Sequence, residues 1–77
     1  MAQRLVINGE DAFQVDAPHF CIGAAEDAYT LNYSADGVTF TPWYAETAAG
    51  VNQPVVGAAR GMFYKLVGNT GDVTITY

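Results

Sequence analysis

His19 and Cys21 stand two residues apart, a spacing that puts both side chains on one face of a strand. An imidazole beside a thiol could form a nucleophilic pair, or half of a zinc site with Asp16 as a further carboxylate. Structural zinc takes four such ligands and catalytic zinc at least three, yet the chain holds one histidine and one cysteine in all. A structural role is the expectation for both residues, and neither metal nor other cofactor is expected. With Cys21 as the single cysteine, no intrachain disulfide can form.

The acids Glu10-Asp11 and Glu26-Asp27 flank predicted turns. Paired carboxylates can cleave glycosidic bonds when held across a cleft, and loop carboxylates can bind calcium. Adjacent acids on the loops of so small a domain read first as solvated groups, and no EF-hand spacing is present. Ser34 has no base partner other than His19, and neither a Gly-x-Ser-x-Gly elbow nor a phosphate-binding glycine loop occurs. The expectation is a protein that is not an enzyme.

Trp43 and Tyr44 follow Pro42, and their rings have three uses. They can cap the core, anchor a protein interface, or stack on a sugar. Core packing is the first expectation for Trp43, an interface the second and a sugar platform the third.

The elements that would position these residues are strands. Arg4–Asn8 alternates, with Leu5 and Ile7 on one face, and Asn8-Gly9 closes it. Phe13 and Val15 make a short run, and Pro18 interrupts before His19–Ile22. If Phe20 and Ile22 face the core, His19 and Cys21 lie outside. Tyr29, Leu31 and Tyr33 alternate up to Ser34-Ala35-Asp36-Gly37, after which Val38 and Phe40 alternate with Thr39 and Thr41. Asp-Gly between alternating runs predicts a hairpin over Tyr29–Trp43. A polar connection leads to a strand at Val55–Val56. Met62–Tyr77 reads as a second hairpin around Gly68-Asn69-Thr70-Gly71. The short alanine-rich stretches 24–28 and 45–50 are the only helical candidates. Six to seven short strands predict an all-β fold, a small antiparallel sandwich or barrel, with residues 1–77 forming one domain.

Composition bounds the partners. Apolar residues make up 51% of the 77, charged residues only 14%, and five of the ten aromatics are tyrosines. A domain this small buries only about 60% of its unfolded surface, so part of that apolar content must lie outside. An interaction surface is the leading reading, ahead of simple core filling. Eight acids against Arg4, Arg60 and Lys65 give a net charge of −5, too few cations for direct nucleic-acid binding or attraction to a membrane surface. Met1–Gly9 has no apolar run after a basic region, so no signal peptide is expected, and synthesis in a cytoplasm is.

The pattern Tyr29-x-Leu31-x-Tyr33-Ser34-x-Asp36-Gly37-x-x-Phe40-x-x-Trp43 resembles a strand–turn–strand of discoidin-type jelly-roll domains, over about fifteen residues. That family binds glycans and lipid headgroups. Its binding loops have no counterpart here, because the chain is much shorter than a discoidin domain. The acidic, lysine-poor, aromatic-rich β chain is more similar in character to small accessory proteins of tailed-phage particles, such as capsid decoration and tail modules. This resemblance implies a structural virion protein that binds copies of itself or a coat-protein lattice. The alternative is a small carbohydrate-binding module. Trp43, Tyr44, Phe63 and Tyr77 are the expected contact residues, with Met62 beside them; Phe63 shares its predicted face with Lys65 and Val67, opposite Tyr64 and Leu66.

Overall fold

Inward side chains at every second residue define the two layers. In a computed structural model, which describes residues 3–77, seven strands follow one another: β1 (Arg4–Asn8), β2 (His19–Ile22), β3 (Thr30–Ser34), β4 (Thr41–Pro42), β5 (Gln53–Val56), β6 (Phe63–Val67) and β7 (Asp72–Thr76). Sheet A has the order β1-β7-β2-β5 and sheet B the order β4-β3-β6, and every pairing is antiparallel. No helix occurs among the described residues, so none is available to cross a membrane. The fold is the expected small β-sandwich.

Sheet A contributes Ile7, Phe20, Ile22, Val55, Val73 and Ile75 to the core, and sheet B contributes Leu31, Tyr64 and Leu66. Phe13 bridges to Tyr64 beside β6, with reciprocal backbone hydrogen bonds of 2.9 and 2.8 Å. Its ring packs against Phe20 and Tyr64 at centroid distances of 5.9 and 5.7 Å. The short Phe13–Val15 run is thus a buried flap along the β6 edge rather than a full strand.

The first predicted hairpin is present, with a shorter second arm. Tyr33 pairs with Thr41 and Asn32 with Pro42, but Val38 is 82% exposed and lies in the turn. The cause is Asp36, whose carboxylate accepts the backbone N–H groups of Val38 (2.8 Å) and Thr39 (3.0 Å) and the Ser34 hydroxyl (2.8 Å). These bonds hold the chain in a wide turn beyond Gly37, so strand pairing resumes only at Thr41.

The second predicted hairpin is replaced by an arch. β6 pairs with β3 in sheet B, and β7 pairs with β1 and β2 in sheet A. Gly68–Gly71 therefore carries the chain from one layer to the other. The buried Asn69 sets the crossing, donating from Nδ2 to the carbonyls of Gly9 (2.8 Å) and Gly71 (2.9 Å). Gly68 has a φ of +103°, and a Cβ there would stand 3.0 Å from the Ala28 carbonyl oxygen, so a side chain at this point is excluded on two grounds.

Candidate functional site

The residues expected to make contact fall in three places. Trp43 and Tyr44 are together, at a centroid distance of 5.0 Å and nearly perpendicular. They sit where the edge strand β4 of sheet B meets the edge strand β5 of sheet A. Trp43 also meets Tyr33 edge-on at 5.8 Å and lies nearly parallel to Tyr64 at 6.1 Å. Met62 joins this group, lining with Tyr33, Trp43, Gly57, Ala59 and Tyr64 a cleft of about 190 Å³. Trp43 is not a core residue, as 36% of it remains exposed. The reason is its place past the end of β4, where the sheet has stopped and the indole is covered in part by Tyr33, Tyr44 and Tyr64.

The hydroxyls around this cleft serve the backbone. Tyr44 Oη accepts the Val56 N–H at 3.2 Å and donates to the Val56 carbonyl at 3.4 Å. Tyr64 Oη accepts the Ala59 N–H at 3.1 Å. Tyr44 thus ties the two sheets together across their open edge. Nothing in the sequence signals this tie, because it joins a residue just past β4 of one sheet to a strand of the other.

Phe63 lies elsewhere, on the outer face of sheet B with Lys65 and Val67, as the alternation predicts. Its ring covers Gly37, where an added Cβ would come within 3.3 Å of it. Lys65 reaches over the Phe40 ring at 4.7 Å.

Tyr77 is half-buried, packs against the core, and rims a third feature. This is a depression of about 350 Å³ over the outer face of sheet A, lined chiefly by His19, Cys21, Pro54, Val56, Thr76 and Tyr77. No Asp, Glu, Lys or Arg lines it. Phe20 and Ile22 are buried, so the expected outward projection of His19 and Cys21 holds. Pro54 and Val56 were not among the expected contact residues, although their alternation with the buried Val55 carried the signal.

Three of the carboxylates raised as chemical candidates, Glu10, Asp16 and Asp27, are engaged in structure. Asp16 pairs with Arg60 at 2.5 Å instead of turning toward His19 or Cys21. Glu10 accepts the Gly68 N–H at 2.7 Å, and Asp27 accepts the Thr70 hydroxyl, so one acid of each pair clamps the inter-sheet arch. Among the described residues, no three His, Cys, Asp or Glu side chains converge in a metal-binding group. Ser34 donates to Asp36, and its oxygen accepts the N–H groups of Asp36 and Gly37, which makes it a turn residue.

Two groups carry an electrostatic perturbation. Asp36 is lowered to about 2 from its ordinary 3.8, chiefly by the Thr39 and Val38 backbone donors and then by the Ser34 hydroxyl. Burial pushes the Tyr29 phenol upward, and nearby Thr47 offsets part of that rise. Yet the Tyr29 hydroxyl makes no bond of good geometry, and the Thr47 hydroxyl donates instead to Gln53 Oε1, 3.3 Å away. Neither perturbed group lies in the aromatic cleft or the sheet A depression. No family model, curated protein or solved structure matches this chain.

Proposed function

We propose that the chain is a non-enzymatic structural subunit of a multimeric assembly, and that a virion decoration or accessory protein is the assembly role that suits its composition. The observation that carries this reading is the depression on sheet A, an outward-facing surface with no charged side chain in its lining. On a small acidic domain, an uncharged concave patch beside the exposed Val56 (69%) is surface suited to burial against a neighbour. Apolar and aromatic contact would supply the stability that the core of a 77-residue chain without a disulfide supplies only in part.

The aromatic cleft supports the same reading over the carbohydrate one. A sugar platform needs a free aromatic face with polar donors beside it. Here the indole of Trp43 packs against Tyr33, Tyr44 and Tyr64, and the Tyr44 hydroxyl both accepts from and donates to the Val56 backbone.

The test is sedimentation of the full chain across a range of concentrations, with tryptophan fluorescence followed during titration with a polysaccharide panel. An oligomer with unchanged fluorescence is expected. A monomer at every concentration, whether or not its fluorescence responds to a polysaccharide, would overturn the assembly reading.

A further inference from the structure

The two edges of sheet A are treated differently. At β5, Pro54 has no N–H to offer, its carbonyl accepts Gln53 Nε2 at 2.8 Å, and both outward groups of Val56 are bonded to Tyr44. That edge is closed. At β1, the reciprocal bonds between Gln3 and Tyr77 and the Gly9-to-Gly71 bond mark the odd-numbered residues as those facing β7. Arg4, Val6 and Asn8 therefore point their backbone groups away from the sheet. Among the described residues the only partner on that side is the Asp11 N–H, which donates to the Asn8 carbonyl at 3.1 Å. Val6 at the centre of this edge is 62% exposed.

We infer that the β1 edge pairs antiparallel with β1 of a second copy about a two-fold axis at Val6. This rests on the assembly reading and names its partner and surface. The register is self-complementary: Val6 faces Val6 of the second copy, and Arg4 faces Asn8 of the second copy. Val6 then forms a hydrogen-bonded pair with its copy, and the Arg4 carbonyl meets the Asn8 N–H of the second copy, while the Asn8 carbonyl keeps its Asp11 donor. Charge favours the same register. Arg4 makes no ion pair among the described residues, and Asn8 Nδ2 donates to Asp72 Oδ1 at 2.6 Å on the neighbouring strand. Across the junction the outer-face row runs Thr76, Arg4, Asn8 of the second copy, Asp72 of the second copy. Each guanidinium thus extends over an asparagine toward a carboxylate that has no cation partner among the described residues. Two four-stranded sheets become one of eight, and each copy's apolar depression lies on the same continuous face.

The experiment is sedimentation of the full chain with three variants, each checked for fold by circular dichroism. Val6→Pro removes an outward N–H and blocks pairing, and is expected to weaken the dimer at least about tenfold. Arg4→Glu is expected to weaken it by about fivefold, and adding Asp72→Lys to it should restore most of the loss. The charge pair also decides the matter if Val6→Pro fails to fold. An oligomer unchanged by both Val6→Pro and Arg4→Glu would overturn edge pairing while leaving the assembly reading in place. A wild-type chain that is monomeric throughout would overturn both.

Discussion

Single residues show how little spare polarity the core carries. Tyr29 is 1% exposed, its phenol pushed upward by burial, and its hydroxyl lacks a well-formed hydrogen bond. A buried polar atom without a partner costs roughly 1–3 kcal/mol, while the ring itself is a large apolar contribution. Tyr29→Phe keeps the ring and removes the orphan. The expected outcome in urea unfolding is stability unchanged or raised by up to about 1 kcal/mol; a clear loss would reveal a hydrogen bond at Oη. Asn69 is a mixed case, a buried side chain whose Nδ2 serves two carbonyls from different parts of the chain while its Oδ1 has no partner.

At the scale of elements, the connections decide the architecture more than the strands do. The β3–β4 turn is organised by one carboxylate accepting backbone N–H groups. Its pKa of about 2 lies below the ordinary 3.8, so Asp36 adds stability above the unfolded value. That contribution is lost as pH falls from about 3.8 through about 2. Asp36→Asn keeps an acceptor oxygen but cannot titrate. Thermal midpoints measured against pH should therefore fall more steeply across this window for the wild type than for the variant. Parallel curves would remove Asp36 from the acid response. The arch at Gly68–Gly71 is held by Asn69, Glu10 and Asp27 together, and it delivers β7 to the layer opposite β6.

For the whole molecule, size and surface act together. The chain is small, cannot form an internal disulfide, and leaves an uncharged depression and one open strand edge on sheet A. Association that involves only the folded chain stabilises it by mass action. The thermal midpoint should rise with protein concentration, by several degrees over a hundredfold range. A midpoint independent of concentration would show that self-association contributes nothing to stability.

Strand faces were legible from alternation alone. Phe20 and Ile22 went inward and His19 and Cys21 outward, and Phe63, Lys65 and Val67 shared an outer face, because successive side chains on a strand must alternate. Turn positions were legible for the same local reason, since Asp36-Gly37 and Gly68–Gly71 carry their turn chemistry in their own residues. Partners were not. A glycine-rich turn does not state whether the next strand lies beside the last or across the core, so Met62–Tyr77 reads as a hairpin and folds as an arch. The candidate site followed the same division. Trp43, Tyr44, Phe63 and Tyr77 could be picked out by type, but their distribution over three surfaces depends on contacts between distant segments. The sequence by itself determined an all-β chain and, along its strands, the inward and outward residues. Only the tertiary structure decided which strand edges close. The Tyr44 hydroxyl reaches Val56 across two sheets while β1 has no such cover, and hydrogen bonds of that kind exist only once the layers have met.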